Sequence, residues 1–523
     1  MDMRRIAGLA IVVVGLSGVA SAAEESTLAH AAEMGDGALV RVLIEDGADI
    51  NLTQVDGMTA LHWSVYHDDA ETARLLVQAG ADVNTKNRYG IPPLSLAAMN
   101  GNADVIALLL DAGADANVSL RGGETVLMTA ARTGNLAAVN SLLASGADLG
   151  AREGRDQTAL MWAAAEGHTA IVDALIAAGA DIHATLRSGF TPMFFAVRGG
   201  HIDVAHTFLE AGVDVNAVLE RVKDGPDAAV NNASYLPVDD GMSPLQMAVR
   251  NGHFELALAL VRAGGDPNDQ RTGFAPLHTM SWVRKPDASD RGDPSPIGSG
   301  DVTSLEFVRA LVGLGADVNL QLAEGKRAPH TASRLGTEGA TAFLMAADRA
   351  DAPMMRVLLD LGADPFIRNE ELSTPLMAAA GLGTAAPEEE AGTEAEAVIA
   401  TQMLLDLGAA IDAMDGNGDT PMHGAAYGSF PLVVRLLADN GADIRMWKQK
   451  NELGRTPLFI AEGHRGGLPR QSRQTIEAIT PLMVGAGVPT DGPRPAFRDQ
   501  YETKPEPPPV ADKPEKPAKP TLR

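Results

Sequence analysis

Short runs of apolar residues alternate with polar, glycine-containing turns along most of the chain. In one stretch, residues 161–165 are small or apolar, Gly167 interrupts the run, and a second apolar segment follows at 171–176. The second segment places its apolar residues on one helical face: Ile171, Val172, Leu175 and Ile176. The pattern therefore predicts pairs of short helices that are separated by tight turns.

The same pattern repeats at a fixed period. The tripeptide Gly47-Ala48-Asp49 recurs in steps of 33 residues up to Gly212-Val213-Asp214. Six later copies follow at less regular spacings, and the last is a degraded Gly485-Ala486-Gly487. A constant period of this size is typical of a repeat architecture. We therefore predict twelve units over about residues 24–490.

Each unit also carries residues that start and stop helices. A hydroxyl residue directly precedes proline at Thr191-Pro192, Thr374-Pro375 and Thr456-Pro457. The hydroxyl can accept a hydrogen bond from an otherwise unpaired amide, and proline has no amide to leave unpaired there. The glycine of each Gly-Ala-Asp tripeptide falls where a helix C-cap needs a positive φ. Each unit is expected to run helix, turn, helix and polar hairpin.

These phrases resemble the ankyrin repeat. Thr59-Ala60-Leu61-His62 and Thr420-Pro421-Met422-His423 match its helix start, and Gly80-Ala81-Asp82-Val83-Asn84 matches its entry into the hairpin. The resemblance implies an all-α repeat solenoid of about twelve helix-turn-helix/β-hairpin units in a curved array. Neighbouring units must stack, because one helix pair cannot bury its apolar face alone. Close helix packing favours Ala and Leu, which accounts for an aromatic content of only 4%.

The spacing divides the chain into four segments. They are a signal peptide (1–22), regular repeats (23–221), repeats with insertions (222–490) and a proline-rich disordered tail (491–523). The insertions are expected at about residues 216–240, 283–300, 322–337, 383–396 and 465–473. Loops of this length in an array are often functional or disordered. The loop around Lys326 and Arg327 is locally basic on an acidic chain, which makes it a candidate contact site.

The N-terminal residues read as an export signal. Arg4 and Arg5 precede an apolar stretch over residues 6–19, and Ala20-Ser21-Ala22 offers the small residues that a signal peptidase requires. The apolar stretch is too short for a spanning helix. The sequence therefore predicts cleavage after Ala22, a periplasmic or secreted protein and no stable membrane insertion.

Composition and motifs exclude several kinds of chemistry. The absence of cysteine removes disulfides, thiolate metal sites and cysteine nucleophiles, and a net charge of −26 argues against nucleic-acid binding. Asp415 to Asp419 imitates the start of a calcium loop, but Thr420 and Ala426 stand where glycine and glutamate are needed. No catalytic, cofactor-binding or metal-binding residues are predicted. The recurring histidines, such as His62 and His168, are expected to make a repeated structural hydrogen bond.

Function is therefore expected on the surface that the repeats present. The resemblance implies recognition by the concave face formed by hairpin tips and first helices. The partner-binding candidates are Tyr66, His67, Arg88, Tyr89, Ile91, Met99, Arg121, Arg132, Arg155, Glu166, Arg187, Phe190, Arg198 and Arg250. Spacings of 33, 34 and 32 residues would stack Arg88, Arg121, Arg155 and Arg187 as a ladder. Because arginine pairs with carboxylates, the expected partner is a protein with an acidic surface.

The leading hypothesis is a monomeric, non-enzymatic interaction scaffold in a bacterial periplasm. A second hypothesis is a secreted effector that acts on host or competitor proteins. A third is a hydrolase embedded in the insertions between residues 216 and 400, which would require a pocket that gathers a nucleophile, a base and an orienting acid.

Overall fold

The computed structural model describes residues 27–220, 240–287, 295–324, 333–387, 389, 391–465 and 471–490. The predicted signal peptide, the tail over 491–523 and the basic residues Lys326 and Arg327 lie outside the described residues, as do the central parts of several predicted insertions. The chain forms two compact units, and the boundary between them falls after Ala248.

The first unit consists of consecutive helix pairs. Its complete helices are α1 (Leu28–Glu33), α2 (Gly37–Glu45), α3 (Ala60–Tyr66), α4 (Ala70–Gln78), α5 (Pro93–Asn100), α6 (Ala103–Asp111), α7 (Val126–Thr133), α8 (Leu136–Ala144), α9 (Ala159–Glu166), α10 (Thr169–Ala177), α11 (Pro192–Gly199) and α12 (Ile202–Glu210). Helix α13 (Pro244–Arg250) contains the boundary.

The second unit continues the alternation with longer gaps. Its helices are α14 (Phe254–Arg262), α15 (Pro276–Arg284), α16 (Ser304–Gly313), α17 (Ala342–Asp348), α18 (Ala352–Asp360), α19 (Pro375–Ala379), α20 (Glu394–Asp406), α21 (Pro421–Gly428), α22 (Pro431–Asp439), α23 (Pro457–Ala461) and α24 (Arg473–Gly485), with a 3-10 turn at Ile444–Lys448. In chain order, the 24 helices of the described residues make twelve pairs, which confirms the predicted number of units.

The helix caps follow the sequence signatures in most units. The hydroxyls of Thr374 and Thr456 accept hydrogen bonds from the amides of Met377 and Phe459, at 3.2 Å in both cases. Thr191 stands at the same position, but its side chain makes no capping bond. The proline at the first helical position is retained in all three helices, so the Thr-Pro pair marks the start of each helix even where the hydroxyl does not contribute.

Glycines with positive φ end the second helices, as predicted. Gly47, Gly212 and Gly441 have φ of 78°, 94° and 90°. The assignment of the last tripeptide to residues 485–487 was wrong in register. Helix α24 runs through Gly485, and Gly487 is the residue with positive φ, at 67°. Gly487 therefore occupies the place that Gly47 occupies in the first repeat.

The hairpins that the structure describes are tight turns without strands. In one of them, the Asn87 amide donates to the Ile91 carbonyl (3.1 Å) and the Gly90 amide donates to the Asn87 carbonyl (2.9 Å). Among the described residues, β-type pairing is confined to one isolated bridge between Ser119 and Thr125. The β-hairpins that the resemblance implied are thus reduced to turns, because the extended segments are too short to form a ladder.

Small residues fill the core where first helices meet. In the first unit, α7 packs against α5 and α9, and each helix contributes two adjacent alanines that are fully buried. These are Ala97 and Ala98, Ala130 and Ala131, and Ala163 and Ala164. Methyl groups allow the helices to approach closely, which explains the scarcity of aromatic residues.

Among the described residues, no helix combines the length and the apolar character that a membrane span requires.

Ion pairs fasten parts of the insertions in the second unit. The segment after α15 is held by Arg349, whose Nη1 lies 3.1 Å from Asp287 Oδ1, and both side chains are only 4% exposed. Lys285 Nζ lies 2.8 Å from Glu396 Oε2. The hairpin insertion before α17 contacts the loop after α19, since the Arg334 amide donates to the Gly383 carbonyl (2.8 Å). These loop segments therefore pack on the repeats and on each other.

Candidate functional site

Backbone hydrogen bonds in the same register join two pairs of neighbouring hairpin tips in the first unit. The Arg88 amide donates to the Asp56 carbonyl (2.8 Å), and the Gly154 amide donates to the Gly122 carbonyl (2.7 Å). Arg88 and Gly154 both lie two residues before the residue with positive φ in their turns, which is Gly90 in one and Asp156 in the other. Arg121 and Arg187 hold the same position before Gly123 and Gly189.

Arg155 departs from the predicted ladder. It lies one residue before Asp156 instead of two, because Gly154 takes the position that Arg88 holds. The Arg155 amide donates to Glu153 Oε1 (2.9 Å) within its own turn. Three arginines, and not four, therefore share one register at the tips.

The arginines at the tips differ in how they are held. Arg88 donates from Nη2 to the Val55 carbonyl of the preceding tip (2.7 Å), and Arg187 Nε lies 3.8 Å from Asp156 Oδ2. Arg121 is exposed, and its guanidinium pairs with no group in the described residues. Arg88 and Arg187 thus help to join neighbouring repeats, and Arg121 is available to a partner.

A second row of side chains lies at the ends of the first helices. Tyr66, Met99, Arg132 and Arg198 each stand two residues before the turn residue that ends their helix, at intervals that are multiples of 33 residues. Tyr66 is 52% exposed and Met99 is 58% exposed. The equivalent residue of α9 is Ala165, and the predicted Glu166 is the exposed residue that follows it. The row therefore combines apolar and basic groups.

Aromatic rings hold the two arginines of this row. The Arg132 guanidinium lies 5.1 Å from the ring centre of Trp162, and Arg198 lies 5.2 Å from Phe190 and 5.0 Å from Phe195. Burial lowers the pKa of Arg198. Because Phe190 belongs to the hairpin and Arg198 to the helix, this contact joins the two rows. We call Tyr66, Met99, Arg132 and Arg198, together with Arg88, Arg121 and Arg187, the tip surface.

A ring cluster lies at the N-terminal side of the tip surface. Tyr66 meets Trp63 edge-on, with 5.7 Å between ring centres, and His67 stacks on the same indole at 5.9 Å. His67 Nε2 lies 2.9 Å from the Glu33 carbonyl oxygen of the preceding repeat. Tyr89 projects from the next hairpin and is 69% exposed. His67 thus has a structural bond, whereas the two tyrosines are each more than half exposed.

Two of the predicted residues serve the fold or lie elsewhere. Ile91 is half-buried, and its carbonyl oxygen lies 3.1 Å from His62 Nε2. Arg250 ends α13 beyond Ala248 and is half-buried, so it belongs to the second unit. Neither residue is part of the tip surface.

The recurring histidines make structural hydrogen bonds, as predicted. His423 repeats the arrangement of His62, with Nε2 lying 3.3 Å from the Arg455 carbonyl oxygen. The second set reaches back to the preceding first helix, since His168 and His201 lie 3.0 and 2.9 Å from the carbonyl oxygens of Arg132 and Ala165. His253 departs from this arrangement because its Nδ1 accepts from the amide of Ser299 in an insertion (3.0 Å).

The calcium-like string at Asp415 forms an ordinary hairpin turn. Asp415 Oδ1 accepts from the amides of Asn417 (2.9 Å) and Asp419 (2.8 Å), just as Asn87 Oδ1 accepts from the amides of Tyr89 and Ile91. No group of His, Asp and Glu suited to a metal ion occurs in the described residues.

Sequence reasoning missed a cavity in the second unit. Its volume is about 280 Å³, and its walls come from three hairpin turns and from two insertions, including Arg334 and Thr384. Asp415 and Asp419 lie on its floor and are 7% and 8% exposed. Asp419 gave no distinct signal of the site, because charged residues occupy the same position in other repeats, for example Glu124 and Arg455.

Comparison with family models decides the class of protein. A model of three ankyrin repeats matches residues 14–87, 80–153 and 127–218, and a model of a single ankyrin repeat matches 240–273 and 417–448. Together these ranges cover just over half of the chain. The chain belongs to the ankyrin repeat family.

Two relatives share part of this ankyrin repeat protein. The B-cell lymphoma 3 protein homolog of Mus musculus is 31% identical over 142 residues, which is 27% of this chain and 24% of the mouse protein. An ankyrin repeat-containing protein of Treponema pallidum (strain Nichols) is 29% identical over 146 residues, or 28% of this chain and 37% of that protein. The similarity thus spans well under two thirds of either relative. Ankyrin repeats indicate a scaffold for protein–protein interaction, which agrees with the surface described above.

Proposed function

We propose that this ankyrin repeat protein is a non-enzymatic scaffold that binds a protein partner through the tip surface. One observation carries the proposal. The same position near the end of the first helix holds an exposed apolar side chain in two repeats, Tyr66 and Met99, and an arginine in two others, Arg132 and Arg198. Aromatic rings hold both guanidiniums in place. Aromatic residues and arginine are the types most enriched at binding hot spots.

The charges of the tip surface favour an acidic partner. Arg121 is exposed. Arg132 forms only a long ion pair with Glu124, with 3.6 Å between Arg132 Nη2 and Glu124 Oε1. These guanidiniums are positively charged, whereas the chain as a whole has a net charge of −26. A partner that offers carboxylates could form paired hydrogen bonds with them, while its apolar residues cover Tyr66 and Met99.

Charge reversal tests this proposal. The double variant Arg121→Glu/Arg132→Glu should lose capture of a partner from the native envelope fraction. The matched control is Arg41→Glu/Arg74→Glu, which makes the same charge change on second helices. Melting temperatures should stay close to that of the wild type in both cases, because all four side chains lie at the surface. Equal capture by the two variants would exclude the tip surface as the binding face.

We further propose that the protein is exported and acts in the periplasm as a monomer. The N-terminal pattern that ends at Ala22 supports export, and the absence of cysteine is compatible with an oxidising compartment. Fractionation of cells that express the full gene tests the destination. Protein in the periplasmic fraction supports a resident scaffold, and protein in the medium supports the alternative of a secreted effector.

A further inference from the structure

The cavity of the second unit has a charged floor and a mixed rim. The floor carries Asp415 and Asp419, and the rim includes Glu371, Glu452, Arg334 and Arg455. Four acidic and two basic residues thus line the cavity. Glu371 and Arg334 are exposed, whereas the two floor residues are more than nine-tenths buried. The cavity is therefore electronegative at its deepest point.

The two floor carboxylates are not equally satisfied. Asp415 uses Oδ1 for two backbone amides, and its Oδ2 accepts from the Ser373 hydroxyl (3.2 Å). Asp419 Oδ1 accepts from Asn451 Nδ2 (2.9 Å), and Oδ2 receives no hydrogen bond from any residue that the structure describes. Burial raises the pKa of Asp419 to about 6. Asp419 Oδ2 is not fully enclosed, so a cationic donor that enters the cavity can form a charge-assisted hydrogen bond with it.

The size and walls of the cavity limit what can enter. A volume of about 280 Å³ is below the roughly 300–1,000 Å³ that is usual for small-molecule sites, so it suits one side chain better than a cofactor. Tyr427 adds a hydroxyl that lies 3.2 Å from Asn451 Nδ2. Leu453 lines the cavity and is 65% exposed, which offers an apolar contact for an aliphatic stem.

The loops that close this cavity are additions to the regular repeat. Arg334 comes from the hairpin insertion before α17, and Gly383 from the loop after α19, and the two are joined by a backbone hydrogen bond of 2.8 Å. A Cβ on Gly383 would lie only 2.9 Å from the backbone nitrogen of Leu335, so the loops approach too closely to leave room for a side chain there. Without these insertions the hairpin turns would form an open groove.

We propose that this cavity is a binding site for a cationic side chain, arginine or lysine, of a partner protein. The positively charged head sits between Asp419 Oδ2 and Asp415, and its aliphatic stem lies along Leu453. This site is separate from the tip surface and attracts the opposite charge. The protein would therefore recognise acidic groups with one unit and a basic group with the other.

A small probe tests the site directly. Titration of the full chain with Nα-acetyl-argininamide, followed by ligand-observed NMR, should show saturable binding. The neutral analogue Nα-acetyl-citrullinamide has nearly the same shape and should bind about tenfold more weakly or not at all, because it lacks the charge. Equal binding of the two probes, or no binding of the arginine derivative, would overturn the proposal.

Three variants locate the effect. Asp419→Asn keeps the acceptor for Asn451 and should weaken binding of the arginine probe by about tenfold. Glu371→Gln, at the exposed rim, should weaken it by about twofold, and it remains informative if the floor variant does not fold. Asp439→Asn changes the same charge on α22 and should have no effect. Unchanged binding in both Asp419→Asn and Glu371→Gln would refute the site, and the Arg121→Glu/Arg132→Glu variant should bind the probe normally.

Discussion

His62 Nε2 lies 3.1 Å from the carbonyl oxygen of Ile91, so an imidazole in one repeat is bonded to the hairpin of the next. The other nitrogen, Nδ1, accepts from the Thr59 amide (3.2 Å), which fixes the neutral form with the proton on Nε2. Burial lowers the pKa of His62, in agreement with this assignment. One side chain thus caps its own helix and fixes the position of the neighbouring repeat.

Replacement of His62 by alanine should destabilise the first unit. The change leaves the Ile91 carbonyl and the Thr59 amide without their partner and opens space in the core, at a cost of about 2–4 kcal/mol. Denaturant unfolding of the full chain should show the loss in the first unit. His206→Ala is the control, because His206 has an exposed side chain on α12. A loss of similar size in both variants would contradict the bonding role.

The equivalent histidines of the second unit should stay neutral in mild acid. Burial lowers the pKa of His278 and of His423 to about 4, against an ordinary value of 6.5. At about pH 5.5, NMR should therefore show both imidazoles unprotonated in the folded chain. A protonated ring at that pH, for either residue, would contradict this environment.

These histidines also give the sign of an effect of pH on stability. The pKa of each imidazole is 6.5 in the unfolded chain and about 4 in the folded chain, so the unfolded chain binds protons more tightly. The stability that these two histidines contribute is therefore fully present above pH 6.5 and is lost as the pH falls through about 4. The loss approaches about 3 kcal/mol for each histidine.

Two buried acids act in the opposite direction. Burial raises the pKa of Asp348 and Asp419 to about 6, so their charged forms cost stability as the pH rises through that value. Asp419→Asn should accordingly make the unfolding free energy more sensitive to acid, which a denaturation series from neutral pH to about pH 4 would measure.

Most of the fold could be predicted from the sequence because the signals repeat. Gly47 and its counterparts need a positive φ in every unit, and the same apolar spacing recurs, so an error in one unit is corrected by the next. The register of a single residue was harder. Arg155 lies one residue beyond the position that Arg121 holds in its own turn, because Gly154 takes that position. The spacings of 34 and 32 residues on either side of Arg155 carried this signal, but the predicted ladder treated them as equal to the 33-residue period.

The cavity could not be predicted for a different reason. Arg334 and Gly383 are far apart in sequence, and both lie in loops that follow no period. Asp419 looks like one more polar turn residue until the loops close over it and bury its carboxylate. A repeated sequence pattern predicts how neighbouring repeats pack. Contacts between insertions depend on the conformation of each loop, which no repeated pattern predicts.

Two glycines of the first unit separate backbone strain from crowding. Gly179 and Gly189 have φ of +95° and +84°, so alanine is strained at either position. A Cβ at Gly179 meets nothing within 4 Å, whereas one at Gly189 would lie 2.7 Å from the Glu220 carbonyl oxygen. Gly179→Ala should cost about 1 kcal/mol, and Gly189→Ala about 2–3 kcal/mol, since the neighbouring backbone must also move. Equal losses in unfolding free energy would show that the approach of Glu220 does not matter.

The buried pair of Arg349 and Asp287 fastens the loop after α15 to the helix pair of α17 and α18. Arg349→Met should cost about 3–5 kcal/mol, because it removes the buried guanidinium that pairs with Asp287. The double variant Arg349→Met/Asp287→Leu removes both charges and should recover much of that loss, since the desolvation penalty disappears with them. Arg309→Met is the control, as its ion pair with Asp360 is exposed and contributes little. Denaturant unfolding of the four proteins tests the pair. If the double variant were as unstable as Arg349→Met, the loop would be held by the shape of these side chains and not by their charges.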